Sequence, residues 1–152
     1  MKQTITGINP KNSSLLTGKE KYPIIGNKIA EEKIRDITSR FYGLRRYWHC
    51  LEKAQIAKKI IGFGDIVIGS LMLLDKDTNS TFGYYYNPPL EFHAWLEFND
   101  GLYILDLALP GVIEHGSELK DEYGPFLTNR EPVILNGVPE EWMIYKKFQT
   151  IK

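Results

Sequence analysis

The chain has 152 residues, enough for one domain with a sizeable core, and 43% apolar with 25% charged residues is an ordinary globular composition. Lys plus Arg equals Asp plus Glu at 19 each, which excludes a broad positive field for nucleic acid or anionic lipid and leaves only local patches. The lone cysteine excludes an internal disulfide, the opening MKQTITGINPKN lacks the apolar core of a secretory signal, and no apolar run is long enough to cross a bilayer. A soluble, cytoplasmic protein with a reduced thiol is expected, with neither membrane nor nucleic acid as partner.

Residues 1–26 are polar and broken by Pro10, Gly18, Pro23 and Gly26, and read as a mostly irregular N-terminal arm. A helix is predicted over 28–42, capped by Asn27 and closed by Gly43, because Ala30, Ile34, Ile37 and Phe41 recur on one face. A short basic and aromatic link, Leu44 to His49, leads to a second helix over 50–61. Cys50, Ala54, Ala57 and Ile61 share one stripe of it, Lys58 and Lys59 suit its last turn, and Gly62 its end. The apolar, β-branched run IVIGSLMLL, 66–74, predicts a central strand buried on both faces.

A polar and aromatic loop is predicted over 75–89, ending in Pro88-Pro89, long enough to form a lid or substrate-binding rim. Strands over 90–98 and 102–107 flank Asn99-Asp100-Gly101, a hairpin signal because Asp-Gly readily supplies positive φ angles. The tail holds a Pro110-Gly111 turn, a short apolar run at 133–135 and a last strand over 142–148. One α+β domain spanning 1–152, with the Cys-bearing helix packed on an antiparallel sheet, is the predicted architecture.

The hairpin carries the chemical signal. With Asp100-Gly101 as the loop, Asn99 faces Leu102 and Trp95 faces Asp106. With a four-residue loop, His93 faces Asp106. Side chains alternate with period two, so either register projects His93, Trp95 and Asp106 from one face. A three-residue loop reverses Asp106 unless a bulge restores it. A carboxylate beside an imidazole orients the ring and stabilises the imidazolium. The nucleophile for such a base is Cys50, at a helix start where free N–H groups and the macrodipole favour a thiolate. Its own N–H suits an oxyanion hole.

Taken singly, each residue has a plainer reading. A Cys on an apolar helix stripe is commonly an inert core residue, a strand His a hydrogen-bonded structural one, and an Asp near a strand end a turn cap. Three such residue types in one compatible setting favour the catalytic reading.

The segment HCLEKAQIAKKI…DIVIGSLML…EFHAWLEFNDGLYILD resembles the core of the transglutaminase-like, papain-like superfamily of cysteine enzymes. There a Cys opens a helix, a strand follows, a His-Ala-Trp strand comes next, and an Asp lies on the strand after it. Cys50, His93-Ala94-Trp95 and Asp106 match in that order. The compact spacing is most similar to the leader peptidases of lasso-peptide maturation, through Cys50-Leu51, Ala54, Val67-Ile68-Gly69 and His93 to Glu97. The resemblance covers about residues 45–107. His49 stands where relatives have a small residue before the Cys, and Leu107-Ala108 where many have Pro-Thr.

The resemblance implies a papain-like core and catalytic Cys50, His93 and Asp106. The expected activity is thiol-dependent hydrolysis of a peptide or amide bond in a peptide or protein substrate. Acyl transfer to an amine by the same triad, or an inactive binding module on the same fold, are the alternatives. Trp95, Trp48 and Tyr85 are the expected substrate contacts, although Trp95 also reads as core packing. Of the other candidates, His49 reads as a linker residue, His115 as solvent-exposed, Glu97 as either a pocket group or a solvated sheet position, and Arg45 and Arg46 as a solvated turn. With no paired Cys or His spacing, neither a metal nor a cofactor is expected.

Overall fold

The computed structural model describes residues 4–5, 14–119, 127 and 129–151. The apolar run becomes β3 (Asp65–Asp75), the strand around which the sheet is organised. One edge of β3 is covered along its length by antiparallel β8 (Met143–Ile151). The opposite edge is shared by two strands lying end to end. There β5 (His93–Phe98) pairs with residues 65–69, and β4 (Ser80–Tyr84) pairs with residues 71–75. Beyond β5 the sheet continues through β6 (Tyr103–Asp106) and β7 (Ile134–Gly137) to β2 (Ile24–Ile25). Beyond β4 it ends at β1 (Thr4–Ile5). The outermost pairs, β1 with β4 and β2 with β7, are parallel, and the remainder are antiparallel.

The architecture is thus α+β, but the sheet is mixed rather than wholly antiparallel. Both parallel strands come from the arm expected to be irregular. The loop expected over 75–89 likewise contains β4, whose five residues are all buried.

Alternation along the strands divides the core in two. Val67, Leu71, Leu73, Trp95 and Leu135 point to one face and pack under α3 (Leu109–Glu118), through Leu109, Val112 and Ile113. Ile66, Leu96, Phe98, Leu105 and Ile134 point to the other. They meet Ile34 and Ile37 of α1 (Glu31–Ser39) and Ala54, Ala57 and Ile61 of α2 (Cys50–Ile61). Burying one such Ile or Leu contributes about 1.5–3 kcal/mol. The α2 bounds are those predicted, closed by Gly62 at φ 90°.

α1 is shorter than predicted, for a specific reason. The amide of Lys28 donates to the Asn136 carbonyl and that of Ile29 to Asn136 Oδ1, so this stretch is tied to β7 and the helix starts only after Ala30.

Residues 110–111, expected as a turn, open α3 instead. Proline is tolerated in a first helical turn, where its missing N–H has no partner to lose. Gly111 is needed for contact: a Cβ there would lie 2.0 Å from the Arg46 carbonyl oxygen.

His115 on α3 is not solvent-exposed but fully buried. Its ring stacks on Tyr47 at 4.8 Å and meets the edge of Phe82 at 5.4 Å. Neither ring nitrogen has a hydrogen-bond partner among the described residues. Burial penalises the imidazolium and pulls the pKa from 6.5 down to about 4. The unfolded chain therefore takes up a proton that the folded chain refuses. Stability is present above about pH 6.5 and is lost as pH falls through about 4. His115→Phe should reduce the acid-induced loss between pH 7 and 4.5 by on the order of 1–2 kcal/mol, read from urea unfolding at each pH. Equal losses in the two proteins would contradict this account.

Candidate active site

His49 enters α2 in the left-handed conformation, φ 69°, an unfavourable state for a residue with a Cβ. The conformation turns the chain sharply, and its carbonyl accepts the first helical bond from Lys53 N–H at 2.8 Å. Its Nδ1 lies 2.6 Å from Glu52 Oε1. Cys50 therefore occupies the first helical position. Cys50 is half-buried, with Sγ 3.9 Å from the Phe92 carbonyl oxygen. Phe92 immediately precedes β5. β4 ends with Tyr84 opposite Leu71, β5 begins with His93 opposite Gly69, and Ser70 alone separates them on β3. Through this contact with Phe92, the start of α2 meets the interruption in the ladder.

The β5–β6 hairpin pairs Leu96 with Leu105, Glu97 with Ile104 and Phe98 with Tyr103. This is the first predicted register, which sets Trp95 across from Asp106. Asn99, Asp100 and Gly101 supply positive φ at the turn. His93 and Asp106 share a face, and the imidazole Nε2 lies 2.6 Å from Asp106 Oδ2 with both residues at 0% exposure.

A third residue, missed in the sequence, completes the carboxylate's shell. Tyr145 on β8 donates its hydroxyl to the same Oδ2 at 2.6 Å, and the Ala108 N–H donates to Oδ1 at 3.0 Å. Tyr145 pairs with Leu71, two residues along β3 from Gly69 opposite His93, and so lies on the same face. Burial, then the Asp106 charge, raises the Tyr145 hydroxyl well above its ordinary 10, so it remains a donor. Strand alternation could have placed Tyr145 on this face, but no local pattern separates it from other aromatic strand residues.

Burial works against the imidazolium of His93. The Asp106 charge, the Asp106 hydrogen bond and the Cys50 side chain outweigh it, raising the ring from 6.5 to about 10. With Nε2 on Asp106, Nδ1 is the remaining polar atom of the ring, buried and without a hydrogen-bond partner among the described residues. Tyr84 stacks on the ring at 6.0 Å, its hydroxyl also without a partner among the described residues and its pKa pushed upward by burial and by Cys50. Gly69 is required opposite His93. A Cβ there would lie 1.9 Å from the Lys146 carbonyl oxygen and 3.0 Å from the Trp95 ring.

The other predicted residues fall in different surroundings. Trp95 is 2% exposed, beside His93 at 6.0 Å and edge-on to Tyr145 at 5.0 Å, so it packs the site rather than offering surface. Trp48 is partly buried, two residues before Cys50, with Arg45 over its ring at 5.8 Å. Tyr85 is 50% exposed on the segment between β4 and β5, its N–H bonded to Glu91 Oε2 at 3.0 Å. Glu97 is buried against Lys147 at 2.8 Å. Arg46 is not a solvated turn residue but pairs with Glu20 at 3.2 Å and Glu114 at 2.9 Å.

No family model, curated protein or solved structure matches the chain. Among the described residues, no group of three or more His, Cys, Asp or Glu side chains is placed to hold a metal ion, and no helix is long and apolar enough to cross a membrane.

Removing the phenol alone tests its link to Asp106. Tyr145→Phe should destabilise the fold by about 1.5–3 kcal/mol, the range for a hydrogen bond to a charged acceptor, in denaturant unfolding. A change within a few tenths would mean that the bond contributes nothing to stability.

Proposed function

We propose that this chain is a cysteine-nucleophile enzyme of the transglutaminase-like, papain-like type, cleaving a peptide or amide bond through a thioester. The observation that carries the reading is a fully buried imidazole held by a buried carboxylate, on the strand just after Phe92, whose carbonyl oxygen the Sγ of half-buried Cys50 meets at a helix start. A structural cysteine needs no such base, and a structural histidine needs no thiol.

In the proposed cycle, Cys50 thiolate attacks the carbonyl carbon and forms a C–S bond as the carbonyl electrons move to oxygen. The Cys50 N–H, at the unbonded start of α2, is the oxyanion donor. His93 imidazolium delivers its proton to the leaving nitrogen as the C–N bond breaks, giving the thioester and a free amine. Water then loses a proton to His93 and attacks the thioester, releasing a carboxylic acid and regenerating thiolate and imidazolium. An incoming amine in place of water gives acyl transfer through the same intermediate. Asp106 and Tyr145 keep the ring in one orientation throughout.

The resemblance to lasso leader peptidases points to peptide maturation in the cytoplasm as the setting. That Cys50 is not fully buried favours the enzyme reading over an inactive module.

The test is the rate of Cys50 alkylation by iodoacetamide across pH, in wild type and His93→Ala. Wild type should label fast well below the pH of an ordinary thiol, and His93→Ala should label at least about tenfold more slowly at pH 6. Slow labelling in both proteins would defeat the enzyme reading. Cys50→Ala and His93→Ala should each lose turnover by several orders of magnitude once a substrate is found, with the fold retained. The leaving nitrogen needs the protonated ring, so cleavage should decline as pH rises through about 10. A rate that climbs steadily beyond that point would assign the proton to another group.

A further inference from the structure

Lys53 is the only Lys or Arg almost wholly withdrawn from solvent among the described residues, at 2% exposure. Its ammonium donates to the carbonyl oxygens of Arg45 at 3.2 Å and Arg46 at 3.1 Å, and the Phe41 ring lies 5.8 Å away. Among the described residues no carboxylate lies within ion-pairing distance of it. Neutral acceptors offset only part of the cost of dehydrating an ammonium, so a buried lysine of this kind calls for a further source of negative potential.

That source is the site itself. Lys53 is three positions after Cys50 on α2, so the two side chains emerge on the same helical face, with Cβ atoms about 5–6 Å apart. The charged groups that bear on it are Cys50 from its own helix, Asp106 from β6, Arg46 from the segment entering α2, and Glu114 from α3. Burial acts against the ammonium, while Cys50 and Asp106 do most to favour it. With thiolate and carboxylate negative, imidazolium alone leaves the buried cluster one charge short. The ammonium balances it.

We propose that Lys53 is a positioning residue of the Cys50 site: anchored to the carbonyls of Arg45 and Arg46, it supplies the second fixed positive charge that holds Cys50 as a thiolate. The inference rests on the enzyme reading above and adds a group that the Cys-His-Asp pattern does not contain. The same anchor also secures the backbone entering α2, which passes against Gly111 of α3. A purely structural staple would do that much, so the test must separate charge from hydrogen bonding.

Lys53→Gln keeps a donor for the carbonyls and removes the charge. Lys53→Arg keeps the charge. In the full chain, iodoacetamide labelling of Lys53→Gln at pH 6 should be on the order of tenfold slower than wild type, its pH profile displaced upward, with Lys53→Arg restoring most of the rate. A Lys53→Gln profile that superimposes on wild type, while His93→Ala still slows labelling, overturns the Lys53 proposal and leaves the enzyme reading intact. Labelling indifferent to both substitutions removes both.

Coupling is reciprocal, which provides a second measurement that needs no change at Lys53. Burial lowers its ammonium from 10.5 to about 8, against the support of Cys50. In Cys50→Ala, the Lys53 Nζ resonance followed by NMR should titrate at a lower pH than in wild type. An unchanged titration overturns the proposal even if Lys53→Gln fails to fold.

Discussion

A carboxylate with no solvent exposure is among the costliest groups a small domain can contain, and Asp106 is one. It is tolerated because its two oxygens accept from three donors of different origin: an imidazole on β5, a phenol on β8 and the backbone amide of Ala108. Each donor imposes a geometric condition. The imidazole requires the β5–β6 register, the phenol requires β8 against β3 in its observed register, and the amide requires the chain to bend after β6 into α3. The local layout of the centre of the sheet follows from satisfying that one group.

The same group links the two cores. His93, Trp95 and Tyr145 lie on the α3 side of the sheet, whereas α2 packs on the other side. Cys50 nevertheless reaches the chain next to His93, at the Phe92 carbonyl, because it stands at the very start of α2, near the place where β4 and β5 part and the ladder along β3 is interrupted. An unbroken strand along that edge would have placed continuous backbone between Cys50 and His93. The left-handed turn at His49 and the close passage of residues 46–47 over Gly111 bring the helix start to this position.

Much of this was legible where local pattern and tertiary demand agree. The α2 bounds followed from an apolar stripe ending in glycine. The hairpin's place followed from Asp-Gly chemistry; two registers stayed open, and both put His93 and Asp106 on one face. Lys53 was within reach of the same helical spacing, since it lies beside Ala54 and Ala57 on the stripe, but a lysine there reads as solvated until its surroundings are known.

The misses have physical causes. Ser80 to Tyr84 carries too few apolar residues to announce a strand, and it is buried by its neighbours rather than by its own composition. Pro110-Gly111 looks like a turn, yet the proline sits where a helix has no bond to lose, and the glycine makes room for another segment. His115 has no polar partner among the described residues and packs against two aromatic rings. Tyr145 reaches Asp106 across the sheet, a pairing that depends on strand order, which no local periodicity encodes. Asn136 shortened α1 by the same kind of long-range bond.

The order in which these donors occur along the chain has a temporal consequence. His93 and Asp106 are 13 residues apart in a hairpin that can close by itself, while Tyr145 lies 39 residues beyond Asp106. In a polypeptide made from its amino end, the thiol emerges first, the imidazole and carboxylate follow, and the phenol that finishes the carboxylate's shell comes last. Until β8 docks, Asp106 lacks that donor and the long outer edge of β3 is open. Completion of the buried His93–Asp106–Tyr145 cluster is thereby tied to one of the last steps of assembly, so a growing or partly folded chain does not yet hold the finished arrangement.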